Sequence, residues 1–508
     1  MPLDWSNTSN PIKTPIAFIK LPAEVNETDP SHSGSIFINP GGPGGSGIDM
    51  ALQRASELQA RFKGPQNNYE IVSFDTRGTI RSSSMKEDCI SDDIQPSYYK
   101  ATNGLGEIDK SDYMLNYAWE IGALDAKFCL RQDKEFSETY GEFSSIKWHL
   151  STASVAADIV YLLDAIDEER QQHLNKPKGV PIVKKSKLQY YGISYGSFIG
   201  VTFANMYPER VGRLILDSNV DANGVVMGLN HDLVDTDRGV EYFAHRCFEG
   251  QSACAVWQPS DAGPEDVLNR INQTLNRLRK SPVFKVQDDE IFMFTASTVE
   301  GMFFGSLYNP IVLFPDVATK LNLIDATEEI PITDAKATSF DSQMGVFTLR
   351  AIQCSDGPDY RNSSLESFRE FAQRQFDMSK IGGAISAEGY LPCWRWPFRP
   401  RFSYSGPFNA SIPILFSNFN IDPVTPLMSA VKMAEQHKGS ALIEVSGAGH
   451  GTLDASCVWP HFRRYMHSGK LPKNGTKCDQ DCEAFDTRCL AVSRFTYPAD
   501  LYDEDEDE

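Results

Sequence analysis

The chain lacks any stretch approaching the ~20 consecutive apolar residues that a membrane-spanning helix needs, so no membrane partner is expected. It also lacks positive charge. Its 48 Lys and Arg stand against 68 Asp and Glu, a formal net charge of -20. A phosphate backbone would be repelled, which argues against nucleic acid as a partner. There is no paired C-x-x-C, no H-E-x-x-H, and no histidine beside the crowded Cys478, Cys482 and Cys489, so no metal is expected. No G-K-[ST] ending follows the glycine-rich segment after Asn39, and that segment does not fit G-x-G-x-x-G followed by a ribose-binding acid. No organic cofactor is therefore implied. No internal repeat is visible. Met1-Pro2-Leu3-Asp4-Trp5 has no basic or apolar run and is not a signal peptide.

What is present is ordinary globular material: 508 residues, 41% hydrophobic and 23% charged. The length fits a large core with an insertion. The ten cysteines are even in number, and Cys247/Cys254 and Cys482/Cys489 are close enough to be local pairs. Six N-x-S/T sequons, at Asn7, Asn26, Asn272, Asn362, Asn409 and Asn474, accompany them. Together these favour an oxidising compartment over the cytosol. The expectation is a secreted, glycosylated protein whose signal has been removed; the alternative is an intracellular one. The run Asp503 to Glu508, within a tail at 501–508, reads as disordered and solvated.

Apolar, β-prone runs at 15–21, 35–39, 69–74, 188–191 and 213–216 alternate with helical patterns at 48–62, 151–170 and up to Tyr207. That alternation predicts a doubly wound, mostly parallel α/β sheet. From 222 to 400 the rhythm gives way to a helix-rich stretch with aromatic clusters at Phe303/Phe304/Tyr308 and Trp394/Trp396. It resumes at 412–419 and 441–445, with a last helix near 459–467. The expected organisation is a core at 1–221, an inserted, mainly helical cap at 222–400, the rest of the core at 401–500, and the tail. The aromatic clusters would be core, or would line a pocket in the cap.

Gly192-Ile193-Ser194-Tyr195-Gly196 matches G-x-S-x-G between a strand and a helix. A serine there sits on a strained turn that lifts its hydroxyl over the strand end. A serine needs a base, and the base needs an orienting carboxylate. Of the later histidines His437, His450, His461 and His467, His450 lies in a small-residue loop directly after a strand, as does Asp422. Strand ends of an open parallel sheet converge on one crevice, so Ser194, Asp422 and His450 form the expected triad. The Tyr195 amide and one from the loop at 41–45 are the expected oxyanion donors.

The chain resembles α/β-hydrolases of the tripeptidyl aminopeptidase type, related to prolyl iminopeptidases, with a TAP-like C-terminal region. The residues that carry this are N-P-G-G-P-G-G-S-G at 39–47, D-T-R-G at 75–78, G-I-S-Y-G at 192–196, Y-P-E-R-V at 207–211, D-P-V-T-P at 422–426 and G-H-G at 449–451. The resemblance implies an α/β-hydrolase fold, Gly42 as the second oxyanion amide, and a Cys457–Cys478 bridge beside the histidine loop. It supports, with local proximity, Cys89–Cys129, Cys247–Cys254, Cys354–Cys393 and Cys482–Cys489. One departure stands out: Thr79-Ile80-Arg81-Ser82 places a bulky and a charged residue where the family has small ones. The resemblance implies a serine exopeptidase that releases short peptides from free N-termini. The substrate ammonium would need a carboxylate, for which Asp221, Glu300 and Asp356 are candidates. The alternatives are an esterase or lactonase acting on a small acyl compound, and a silent scaffold used for binding.

Overall fold

The computed structural model describes residues 1–82, 89, 97, 108–173, 185–229, 231–287, 290–325, 346–486, 488 and 489. The acidic tail lies outside them.

Eight strands form one sheet: β1 (Phe18–Leu21), β2 (His32–Asn39), β3 (Asn68–Phe74), β4 (Leu188–Ile193), β5 (Val211–Asp217), β8 (Leu415–Ile421), β9 (Ala441–Ala448) and β10 (Thr476–Cys478). Their order is β1-β3-β2-β4-β5-β8-β9-β10, and among these pairings only β1 with β3 is antiparallel. Parallel strands need both faces covered. Successive side chains accordingly enter two cores: Phe37, Val72, Tyr190 and Leu216 face one side, while Ile36, Ile38, Ile71 and Tyr191 face the other. This period of two gives continuous apolar runs, because neither face is wet. This is the sheet of an α/β-hydrolase. The chain runs from β2 outward to β3 and then returns to the other flank of β2 with β4, so the order reverses between β2 and β4. A ligand crevice is expected there, beyond the carboxyl ends of the strands.

Helix α1 (Gly47–Phe62) follows β2, α2 (Asp112–Tyr140) and α3 (Thr152–His173) precede β4, and α4 (Tyr195–Met206) follows β4. Between β5 and β8 come eight helices among the described residues: α5 (Ala222–Met227), α6 (Thr236–Gly250), α7 (Pro264–Leu278), α8 (Ala296–Ser306), α9 (Pro310–Asp325), α10 (Val346–Asp356), α11 (Leu365–Met378) and α12 (Gly383–Arg395). This stretch also holds an antiparallel hairpin, β6 (Val283–Gln287) with β7 (Glu290–Phe294), which helical patterning did not foretell. Phe243, Phe303 and Phe314 centre an apolar cluster of this layer, separate from the two cores of the sheet. Helix α2 packs on α11 and α12 although it lies earlier in the chain than β4, a long-range association that local sequence does not announce. After β8 come α13 (Leu427–Gln436) and, after β9, α14 (Trp459–Ser468). Among the described residues no helix is long and apolar enough to cross a membrane.

Disulfides join Cys89–Cys129, Cys247–Cys254, Cys354–Cys393, Cys457–Cys478 and Cys482–Cys489. All six sequon asparagines are exposed.

The D-T-R-G turn after β3 is structural. Asp75 accepts from Ser46 Oγ at 2.7 Å and Ile48 N at 3.1 Å, closing the start of α1. Arg77 makes a two-pronged pair with Asp158 of α3, Nε to Oδ2 at 2.7 Å and Nη2 to Oδ1 at 2.5 Å, with both side chains fully buried. Arg77 Nη1 also donates to Leu3 O at 3.0 Å and His149 O at 3.3 Å, and Trp5 Nε1 donates to Asp158 Oδ1 at 2.7 Å. The Arg77 guanidinium thus helps tie the N-terminal segment to the core, alongside Arg401, whose Nε donates to Asp4 Oδ2 at 2.9 Å. Removing one partner of a buried pair strands the other charge. Asp158→Ala should therefore destabilise the protein by about 3–5 kcal/mol, read as a lower urea midpoint; a loss below about 1 kcal/mol would show the pair to be dispensable.

Candidate active site

Ser194 is the residue before α4 and has φ 58° and ψ -125°. A side chain at such a φ is strained, and the surroundings must impose it. Three close approaches do so. A Cβ on Gly192 would lie 2.6 Å from Gly196 O, one on Gly196 would lie 3.0 Å from Asn39 O, and one on Gly41 would lie 2.8 Å from Ser194 Cβ. The β2 loop and the elbow can meet this tightly only because these residues have no side chain. Ser194 N donates to Asp217 O of β5 at 2.9 Å, which fixes the elbow from the other side.

The Tyr195 amide opens α4, and the Gly42 amide sits in the β2 loop next to Gly41; among the described residues neither is recorded donating to a protein acceptor. The Tyr195 phenol is held at 2.6 Å by Thr152 Oγ1, which donates to Asp356 Oδ2 at 2.6 Å.

Asp422 follows β8 and is fully buried. Its Oδ1 accepts from Val424 N at 3.1 Å and Thr425 N at 2.8 Å, the turn expected before Pro426, and its Oδ2 accepts from Ser218 Oγ at 2.8 Å. His450, in the loop after β9, places Nδ1 3.0 Å from both carboxylate oxygens. With Nδ1–H directed at Asp422, Nε2 is the ring nitrogen left to accept a proton. Thr425 Oγ1 lies 3.3 Å from the same Nδ1. The loop seats against the elbow, since a Cβ on Gly451 would touch Ile193 Cγ2 at 3.4 Å. From the helical layer, Tyr308 accepts the His450 amide at its carbonyl (3.1 Å) and sets its ring edge-on to the imidazole, with centroids 4.9 Å apart. So the Phe303/Phe304/Tyr308 cluster divides: Phe303 is core and Tyr308 covers the histidine. Trp394 stacks on Tyr360 in the core, and Trp396 packs on Phe398.

Two of the other later histidines, His437 and His467, hold structure. His437 is buried, with Nδ1 against Met433 O at 2.8 Å, and His467 bonds Phe62 O at 2.7 Å. Arg81 turns to α1, 2.9 Å from Asp49 and 3.1 Å from Ser46 Oγ, so its charge is neutralised within the loop.

Each of the three candidate ammonium carboxylates has a protein partner. Asp221 Oδ2 accepts from Lys432 at 2.5 Å, Glu300 pairs with Arg279, and Asp356 accepts from Thr152 N at 2.9 Å and from its hydroxyl. Sequence reasoning missed Asp232, whose recorded hydrogen bond is from the Tyr390 phenol at 3.3 Å, with no cation paired to it among the described residues. Burial pushes its carboxyl up to about 7, and the charge of Asp221 adds to this. Both Asp232 and Asp422 lie near enough to Tyr308 to raise its phenol, after burial. Asp217 and Ser218, at the end of β5, were also missed; an ordinary strand end gives no local signal. Among the described residues no group of His, Cys, Asp and Glu could hold a metal.

Residues 379–478, which contain Asp422 and His450, match the family model described as TAP-like protein. The chain is an α/β-hydrolase with a TAP-like C-terminal region. This hydrolase is 24% identical over 506 residues to the serine protease Hip1 of Mycobacterium tuberculosis H37Rv, covering 94% of this chain and 86% of that protein. It is 22% identical over 472 residues to the tripeptidyl aminopeptidase of Streptomyces lividans, covering 89% and 78%. A solved thermophilic esterase from Thermogutta terrifontis overlaps 91% of this chain and 90% of its own at 12% identity, with a TM-score of 0.31. Strand order, not that overlap, establishes the fold of this hydrolase.

Burial pushes the Asp356 carboxyl up to about 6, against its bonds from Thr152, and pushes Asp217 up to about 6 as well. A carboxyl raised above its unfolded value of about 3.9 stabilises the fold fully below that value and loses the contribution as pH rises through the folded one. The native chain should therefore lose stability between pH 4 and 7. In Asp356→Asn, urea midpoints at pH 4.5 and 7 should differ less than in the native chain; an equal difference would exclude Asp356 as a contributor.

Proposed function

We propose that this hydrolase is a secreted serine exopeptidase that releases short peptides from free N-termini. The observation that carries the reading is the pairing of partly buried His450 with fully buried Asp422, in a loop that seats against the turn where Ser194 is held at positive φ. Ser194 Oγ attacks the scissile carbonyl while His450 Nε2 takes its proton. Asp422 holds the imidazole in the required tautomer and stabilises its charged form. The Gly42 and Tyr195 amides stabilise the tetrahedral oxyanion, His450 returns the proton to the leaving amine, and water then resolves the acyl-enzyme. The helical layer from 222 to 400, joined by α2, acts as the cap. The names borne by Hip1 and the Streptomyces enzyme support peptide chemistry. Five disulfides and six exposed sequons support an oxidising compartment.

The test compares a chromogenic tripeptide anilide bearing a free amino terminus with its N-acetylated form and an aryl ester. The free peptide should be cleaved, the acetylated one spared, and Ser194→Ala should lose at least ~10⁴-fold in kcat/KM. Cleavage of the ester with neither peptide touched would overturn the peptidase reading in favour of a small-molecule hydrolase.

The substrate ammonium needs an anion in the cap, and Asp232 suits it better than the three carboxylates already partnered. An arriving ammonium would favour the ionised form that burial disfavours. Asp232→Asn should raise KM for the free peptide about tenfold or more and leave ester hydrolysis within twofold. Equal effects on both substrates would remove Asp232 from that role.

A further inference from the structure

Ser218, the residue after β5, carries φ 49° although it is not glycine and is fully buried. Its amide donates to Ser417 O of β8 at 3.0 Å, which continues the parallel ladder one residue past the strand end and fixes this backbone. Its hydroxyl donates to Asp422 Oδ2 at 2.8 Å and accepts from Gly451 N at 2.7 Å. The residue before it takes the next amide of the same loop, Thr452 N to Asp217 Oδ2 at 2.8 Å, and offers its carbonyl to Ser194 N at 2.9 Å. The end of β5 therefore touches the serine elbow, the aspartate and the histidine loop together. The other recorded donors to Asp422, apart from His450, are amides of its own turn. Ser218 is the donor that comes from a different strand.

We propose that Ser218 is a positioning residue which locks the Asp422 and His450 loops into register with Ser194 and, by taking up part of the Asp422 charge, limits the basicity of His450. This rests on the triad reading above. Residue 218 has the strain of a functional position, because a glycine would satisfy the backbone and the hydroxyl is what a glycine lacks. A neutral donor on a carboxylate lowers the charge available to the imidazolium. The titratable groups facing His450 among the described residues are Asp422, Asp217 from β5 and Tyr308 from the helical layer; Ser218 touches the first of these directly.

The test needs no knowledge of the substrate. A fluorophosphonate is attacked at phosphorus by Ser194 Oγ, fluoride leaves, and His450 accepts the serine proton. The labelling rate is measured from pH 5 to 9 for the native chain, Ser218→Ala, Ser218→Gly and the blank Ser194→Ala. Both Ser218 variants should label about tenfold more slowly at pH 7, with the acidic limb moved to higher pH by about half a unit or more. The glycine variant relieves the backbone, so it keeps the test valid if the alanine variant folds poorly. Native-like rate and pH profile in Ser218→Gly would overturn the proposal. So would a slower rate with an unmoved limb, which would make Ser218 structural only. If the native chain is not labelled at Ser194, the triad reading fails first, and that outcome is distinct from the other two.

Discussion

The backbone of Ser194 is the constraint on which the site depends. A serine at φ 58° costs of order 1–3 kcal/mol, and nothing local to the serine offsets it. What holds it is the closeness of three backbones: the elbow, the glycine loop after β2, and the end of β5. Gly41, Gly192 and Gly196 are where that closeness leaves no room for a Cβ. Because β2 and β4 are neighbours at the point where strand order reverses, both loops leave the sheet on the same edge and one crevice receives them. The placement of Ser194 and of the amides beside it is thus a consequence of a single topological feature.

Around that crevice Asp75, Arg77, Asp158, Asp217 and Ser218 are fully buried and hydrogen-bonded. Asp75 closes the start of α1, Arg77 and Asp158 anchor the N-terminal segment, and Asp217 with Ser218 gathers the histidine loop. Each is a charged or hydroxyl group out of water, so each is either satisfied or expensive. The Cys457–Cys478 disulfide fastens the segment that follows His450 to β10, at the edge of the same sheet. Covalent and hydrogen-bonded ties hold the site to the sheet. It meets the helical layer through Tyr308, whose carbonyl and ring both engage His450, through Thr236, whose hydroxyl donates to Pro423 O at 2.8 Å, and through Asp356, which accepts from Thr152 beside the Tyr195 phenol.

The D-T-R-G turn shows how a motif can identify a relative without marking its chemistry. Asp75 and Arg77 carry much of the resemblance, yet their partners are a helix start and a buried aspartate. Their role is to set the shape of the loop beside the elbow. Arg81, a departure from the family pattern, is absorbed in the same way by Asp49 and Ser46.

The cysteine pairs rested on the family resemblance with local proximity, whereas the sequence by itself determined the alternation of strands and helices, the strand–serine–helix elbow, and the strand-end placement of Asp422 and His450. These are local: a two- or 3.6-residue period or a glycine pair fixes each one. Only the tertiary structure decided that α2 joins helices more than two hundred residues away, that Tyr308, while still edge-on to Phe304, also covers the histidine, and that Asp232 has no cation paired to it among the described residues. It alone decided that Asp217 and Ser218 reach two loops at once. Those facts depend on which elements meet across a sheet or between layers, and a parallel sheet joins strands far apart in the chain. No local pattern encodes such a meeting, because its energy appears only when both partners are in place.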